Sequence, residues 1–69
     1  MYDVIEVNLA TKLVTVMATS KDLDNAEAYV KMAVVRRGME ESFFVAVAAE
    51  DNYKTGDKWV GHRAVTNAF

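Results

Sequence analysis

The sequence predicts an α+β domain: a three-stranded sheet in the order β-β-α-β along the chain, with one helix packed on one face. Three observations carry this. Two runs rich in β-branched residues, Tyr2 to Leu9 and Lys12 to Ala18, stand at the start. A stretch with helical period follows from Asp22 to Arg37, closed by Gly38. An unbroken apolar run from Phe43 to Ala49 comes next, as expected of a strand buried on both faces.

In the first strand Ile5, Val7 and Leu9 share one face, and Tyr2, Val4, Glu6 and Asn8 the other. In the second, Val14, Val16 and Ala18 oppose Leu13, Thr15 and Met17. The connection from Asn8 to Lys12 has turn chemistry only in Asn8 and Thr11 and lacks glycine. A tight two-residue turn normally needs Asn-Gly or Asp-Gly, so a loop of roughly three to five residues is expected.

Asp22 is the expected N-cap, with Ser20 as the alternative, and Asp24 sits near the positive end of the helix. Arg36 and Arg37 occupy the last turn, and Gly38 is expected to end the helix as the left-handed C′ residue. At about 100° per residue, Leu23, Ala26, Val30, Ala33 and Val34 form a core stripe. Ala28, Met32 and Val35 fall on nearly the opposite side, where a small monomer should be polar. Asp24 and Lys31 flank that second stripe on one side, and Asn25, Tyr29 and Arg36 on the other. Ala28, Tyr29, Met32, Val35 and Arg36 are therefore the candidate protein interface, since aromatic, Met and Arg residues are enriched at such surfaces.

In the third strand Phe43, Val45 and Val47 alternate with Phe44, Ala46 and Ala48. One helix covers one face, so the other needs the C-terminal segment or a second copy of the chain. Tyr2, Val4, Leu13 and Met17 are candidates to share the uncovered face. The third strand has two options, parallel to the second or antiparallel beside the first.

The character changes after residue 50, dividing the chain into a core over residues 1–50 and an aromatic, basic segment over 51–69. Residues 1–51 hold five Lys/Arg against nine Asp/Glu, net −4, whereas residues 52–69 hold three against one, net +2. Tyr53 to Val60 reads as a short hairpin turning at Gly56, with room for a short fourth strand near residues 57–60. The tail after Gly61 reads as disordered or as an arm docking on the body or a neighbour.

Sixty-nine residues make one small domain with a marginal core. With no Cys, disulfides and thiolate metal sites are excluded, and self-association is the remedy left open, so a homodimer is expected. An apolar content of 52% with 26% charged residues is that of a globular chain. The net charge of −2 argues against a dedicated nucleic-acid-binding domain, and the acidic body suggests mimicry of a phosphate array toward a basic partner. No apolar run reaches the length of a membrane span or signal segment, so a cytoplasmic, membrane-free location is expected.

No catalytic motif stands out. Glu40, Glu41, Glu50, Asp51 and Asp57 lie in expected loops, where charge is solvated rather than held for acid–base work. His62 lacks a nucleophile partner, and Gly38, Gly56 and Gly61 are too dispersed to cradle phosphate. No cofactor is implied. Tyr53, Lys54, Lys58, Trp59, His62 and Arg63 interleave rings with cations, the chemistry of a single-stranded nucleic-acid contact. That signal is weak, since three basic residues in a short tail are ordinary, and the favoured reading packs Trp59 over the open sheet face with its indole N–H at the rim.

The stretches Tyr2-Asp3-Val4-Ile5-Glu6-Val7, Asn25-Ala26-Glu27-Ala28-Tyr29-Val30, Arg36-Arg37-Gly38 and Tyr53-Lys54-Thr55-Gly56-Asp57-Lys58-Trp59 resemble small proteins of unassigned function encoded by phages or mobile elements. The resemblance implies an accessory factor, such as an inhibitor acting on a host protein in the host cytoplasm, and transfers no binding residue. The expected function is non-enzymatic protein binding as a homodimer. The alternative is weak single-stranded nucleic-acid binding through Tyr53, Lys54, Lys58, Trp59 and Arg63.

Overall fold

A computed structural model describes residues 1–59 and 64–67, the last four through their backbone. It gives β1 (Tyr2–Asn8), β2 (Val14–Ser20), α1 (Leu23–Arg37), β3 (Ser42–Ala48), a 3-10 turn (Ala49–Asp51) and β4 (Ala64–Asn67). The strands form one antiparallel sheet in the order β2-β1-β3-β4. The third strand therefore lies antiparallel beside the first, and α1 crosses over β1 to reach it.

β1 is central, which accounts for Val4, Ile5 and Val7 all being fully buried. Its side chains alternate between two cores. On one face Val4, Phe44 and Ala46 pack with Ala26, Val30 and Ala33 of α1, the middle of the expected stripe; Val34 lies half-buried at its margin. On the other, Ile5, Val7, Val14, Val45 and Val47 pack with Val16, Phe43, Tyr53 and Trp59. The chain's own aromatic segment thus covers the second face.

The expected alternation in β2 fails at one place. Val4 pairs with Ala18 and Ile5 with Val16, so Met17 is an extra residue in a β-bulge. An inserted residue reverses the alternation beyond it. Ala18 moves to the helix side, where Met17, Tyr2 and Val4 also pack. Tyr2, Val4 and Met17 do share a face, but it is the one that α1 covers and not the face away from the helix, and Leu13 is exposed.

The loop between β1 and β2 has five residues, Leu9 to Leu13. Asn8 Oδ1 accepts from the Ala10 and Thr11 amides at 2.9 Å each, a side chain standing in for backbone turn bonds. Lys12 takes the left-handed φ of 64° that glycine would ordinarily supply.

Asp22 caps α1: its Oδ1 accepts from the Asn25 amide at 2.8 Å, while Ser20 Oγ donates to the Asp22 carbonyl. At the other end Gly38 has φ 71° and ψ −177°, and its N–H donates to the Val34 carbonyl. That is not the expected left-handed conformation but an extended one at positive φ, almost confined to glycine. A Cβ there would meet nothing within 4 Å, so the cost of Gly38→Ala is purely a backbone one. We expect a loss of about 1–3 kcal/mol, read as a lowered urea midpoint with an unchanged slope. A shift below about 0.5 kcal/mol would mean the chain leaves the helix another way.

After the 3-10 turn the chain bends at Gly56, as expected, in a tight turn that does not extend into a hairpin among the described residues. Lys54 N donates to Asp57 Oδ2 at 2.8 Å, and Asp57 N to the Lys54 carbonyl at 2.9 Å. The segment then runs along the outer edge of β2. Gly56 N donates to Val14 O, Val14 N to Asp57 O and Trp59 N to Lys12 O, each at 2.8 Å. Val16 N donates to Thr55 Oγ1 at 3.0 Å. Near residues 57–60 there is thus one bridge, Leu13 with Lys58, and the fourth strand stands on the opposite edge of the sheet at Ala64–Asn67. His62, Arg63 and Gly61 lie outside the described residues.

Candidate interaction face

The outward side of α1 follows from the inward one. With Ala26, Val30 and Ala33 turned to the sheet, Ala28, Tyr29, Met32, Val35 and Arg36 are all exposed. Tyr29 is 40%, Met32 51% and Val35 85% exposed. The five residues selected from the helical period share this outward side. Sequence reasoning did not add Met17 to it. Met17 stands opposite Val14 and Val16, on the helix side, and a shallow cleft of about 150 Å³ is lined by Met17, Tyr29, Met32, Ala33, Arg36 and Arg37. A wider, open depression adjoins it between Lys31, Met32, Val35 and Arg36. Alternation alone sets Met17 opposite Val14 and Val16; no local signal says that α1 covers that face rather than the other.

A second, polar cleft of about 240 Å³ lies at the C-terminal end of α1, lined in part by Glu6, Arg37, Glu40, Glu41 and Ser42. Its cation is already engaged: Arg37 Nη1 lies 3.1 Å from Glu6 Oε1. Glu40 and Glu41 are exposed. Among the described residues no three His, Cys, Asp or Glu side chains are grouped so as to hold a metal ion.

The aromatic segment is occupied with the sheet. The Tyr53 and Trp59 rings stack with centroids 5.6 Å apart, and Trp59 meets Phe43 edge-on at 5.7 Å. Lys54 and Lys58 are exposed, and Arg63 lies outside the described residues. Burial, and then the negative charges of Asp51 and Asp57, push the Tyr53 hydroxyl above its ordinary pKa of 10.0. That hydroxyl is buried without a hydrogen-bond partner among the described residues.

A raised folded-state pKa contributes stability that is present below the unfolded value near 10 and is lost as pH climbs through the folded value. Wild-type protein is expected to lose stability above about pH 10 by a component that Tyr53→Phe lacks. At neutral pH the same variant should be unchanged or up to about 1 kcal/mol more stable, because it removes an unpaired polar group. Urea melts of both proteins across that pH range check this; parallel pH profiles would place the hydroxyl in water.

No family model, curated protein sequence or solved structure matches the chain. No helix among the described residues is long and apolar enough to cross a membrane.

Proposed function

We propose that this chain is a small, non-enzymatic protein-binding module whose binding face is the outward side of α1. The observation that carries the reading is the exposure of Met32 and Val35 on a helix whose inward side is already filled by Ala26, Val30 and Ala33. Large apolar residues grouped beside Tyr and Arg are the composition of interface centres. The resemblance to phage and mobile-element proteins supports an accessory factor acting on a host protein.

Two surfaces made a second copy an expectation. One, the Phe43/Val45/Val47 face, is covered by Tyr53 and Trp59 of the same chain. Homodimerisation therefore rests on the helix face alone. The nucleic-acid alternative is less well supported, because the Tyr53 and Trp59 rings are turned to each other and to the sheet.

Met32→Glu and Val35→Glu should each leave the urea midpoint within about 0.5 kcal/mol of wild type, as exposed substitutions do. Each should also weaken association through this face at least about tenfold, since an unpaired charge must then be desolvated. If both variants unfold, the two side chains belong to the core and the helix is oriented differently.

A further inference from the structure

The whole chain is acidic, yet the apolar patch on α1 has a cationic border. Asn25, Ala28, Met32 and Val35 follow at spacings of three, four and three residues, the seam along which one helix lies against another. Around the apolar end of that seam stand Lys31, Arg36 and Arg37. Arg37 is paired with Glu6, whereas Lys31 and Arg36 have no acidic partner among the described residues. Glu27 lies one turn before Lys31, on the side of Lys31 away from the seam, and Asp24 two turns before it.

This border discriminates between occupants. A second copy laid parallel along the seam sets Lys31 against Arg36 of the other copy. A second copy laid antiparallel, with Ala28 opposite Met32, sets the two Lys31 side chains together at the two-fold axis. It also sets Asn25 against Val35. Both orientations oppose like charges, which disfavours the self-pair. An acidic partner relieves them.

Resting on the binding-face reading above, we infer that the seam accepts an amphipathic helix of another protein, apolar on one side and flanked by Asp and Glu. Its apolar anchors seat against Met32, Val35 and the cleft between Met17 and Tyr29. Its carboxylates meet Lys31 and Arg36, with Arg36 able to take one of them in a two-pronged contact. Met32 and Met17 suit such a site, because a flexible thioether side chain adapts to anchors of different shape.

The probe is a yeast-displayed library of single helices with one face randomised, sorted against the fluorescently labelled full chain. Clones that also bind the Met32→Glu variant are removed. The surviving clones should carry apolar residues at helical spacing with a clear excess of Asp and Glu beside them. Their binding should fall about tenfold on Arg36→Glu and weaken as salt rises. Survivors that are neutral or basic would overturn the inference while keeping the face as a binding face. So would a concentration-dependent dimer by light scattering that Met32→Glu abolishes, since that seats a second copy there. A chain that stays monomeric and yields no Met32-dependent clone would remove both the inference and the reading beneath it.

Discussion

Phe44→Ala should lower stability by about 3–5 kcal/mol, the range for truncating a buried aromatic side chain. Phe44 is 1% exposed and is the largest of the fully buried side chains. The fully buried residues of its helix-side core are Val4, Ala26, Val30, Ala33 and Ala46, all small, with Tyr2, Met17, Ala18 and Val34 partly buried at the margin. Three alanines cannot extend into the space the ring leaves, and the backbone of β3 is held by strands on both sides. Met17 and Tyr2 at the margin can fill part of the space, so the cost stays within that range rather than at its top. At about 0.05–0.15 kcal/mol per residue, a chain this short has only a few kcal/mol of stability in total. The variant should be largely unfolded at 25 °C by circular dichroism, with Met32→Ala as a control that melts like wild type. A Phe44→Ala protein that loses less than about 1 kcal/mol would mean that α1 does not rest on this face.

The same alanines explain why the helix was the most legible part of the chain. Asp22, Gly38 and the Ala26/Val30/Ala33 spacing are local signals that agree with one another, and the structure uses all of them. The exposed stripe was legible for the same reason, because a 3.6-residue period fixes what faces out once it fixes what faces in. The run from Phe43 to Val47 was also readable as buried on both faces, with Phe44 and Ala46 under the helix and Phe43, Val45 and Val47 opposite.

What could not be read depends on contacts far apart in sequence. The extra residue at Met17 is set by the register of β2 against β1. Lys12 adopts a left-handed conformation that its identity disfavours, because Asn8 and the pairing of β1 with β2 hold the loop. Ala64–Asn67 is too short and too polar to announce a strand, and takes its place by pairing with β3. For the aromatic segment, Trp59 over the open sheet face is the favoured sequence reading and the structure has it there, while the edge of β2 along which residues 56–59 run carries no local signal. Tyr53 and Trp59 have the chemistry of a nucleic-acid platform as well as of a hydrophobic lid, and the sheet's uncovered face decides between them.

Trp59→Ala tests that lid directly. Trp59 packs with Phe43 and Tyr53 against Ile5, Val45 and Val47, and its backbone N–H donates to the Lys12 carbonyl. Full burial of a Trp would put its truncation at about 3–5 kcal/mol; a half-buried ring should cost about 2–3 kcal/mol. The failure should also look different from that of Phe44→Ala. Loosening residues 55–59 uncovers an apolar sheet face together with the outer edge of β2, and exposed edges recruit other chains. Trp59→Ala should therefore bind a hydrophobic dye while retaining much of its secondary structure, and should associate at rising concentration. Trp59→Phe, which keeps a ring against Phe43, should recover more than half of the lost stability. The nucleic-acid reading makes the opposite prediction, because a ring kept for stacking bases contributes little to the fold. A Trp59→Ala protein with an unchanged melting midpoint and lost affinity for a single-stranded oligonucleotide would assign Trp59 to a ligand and leave the second face of the sheet in need of another cover.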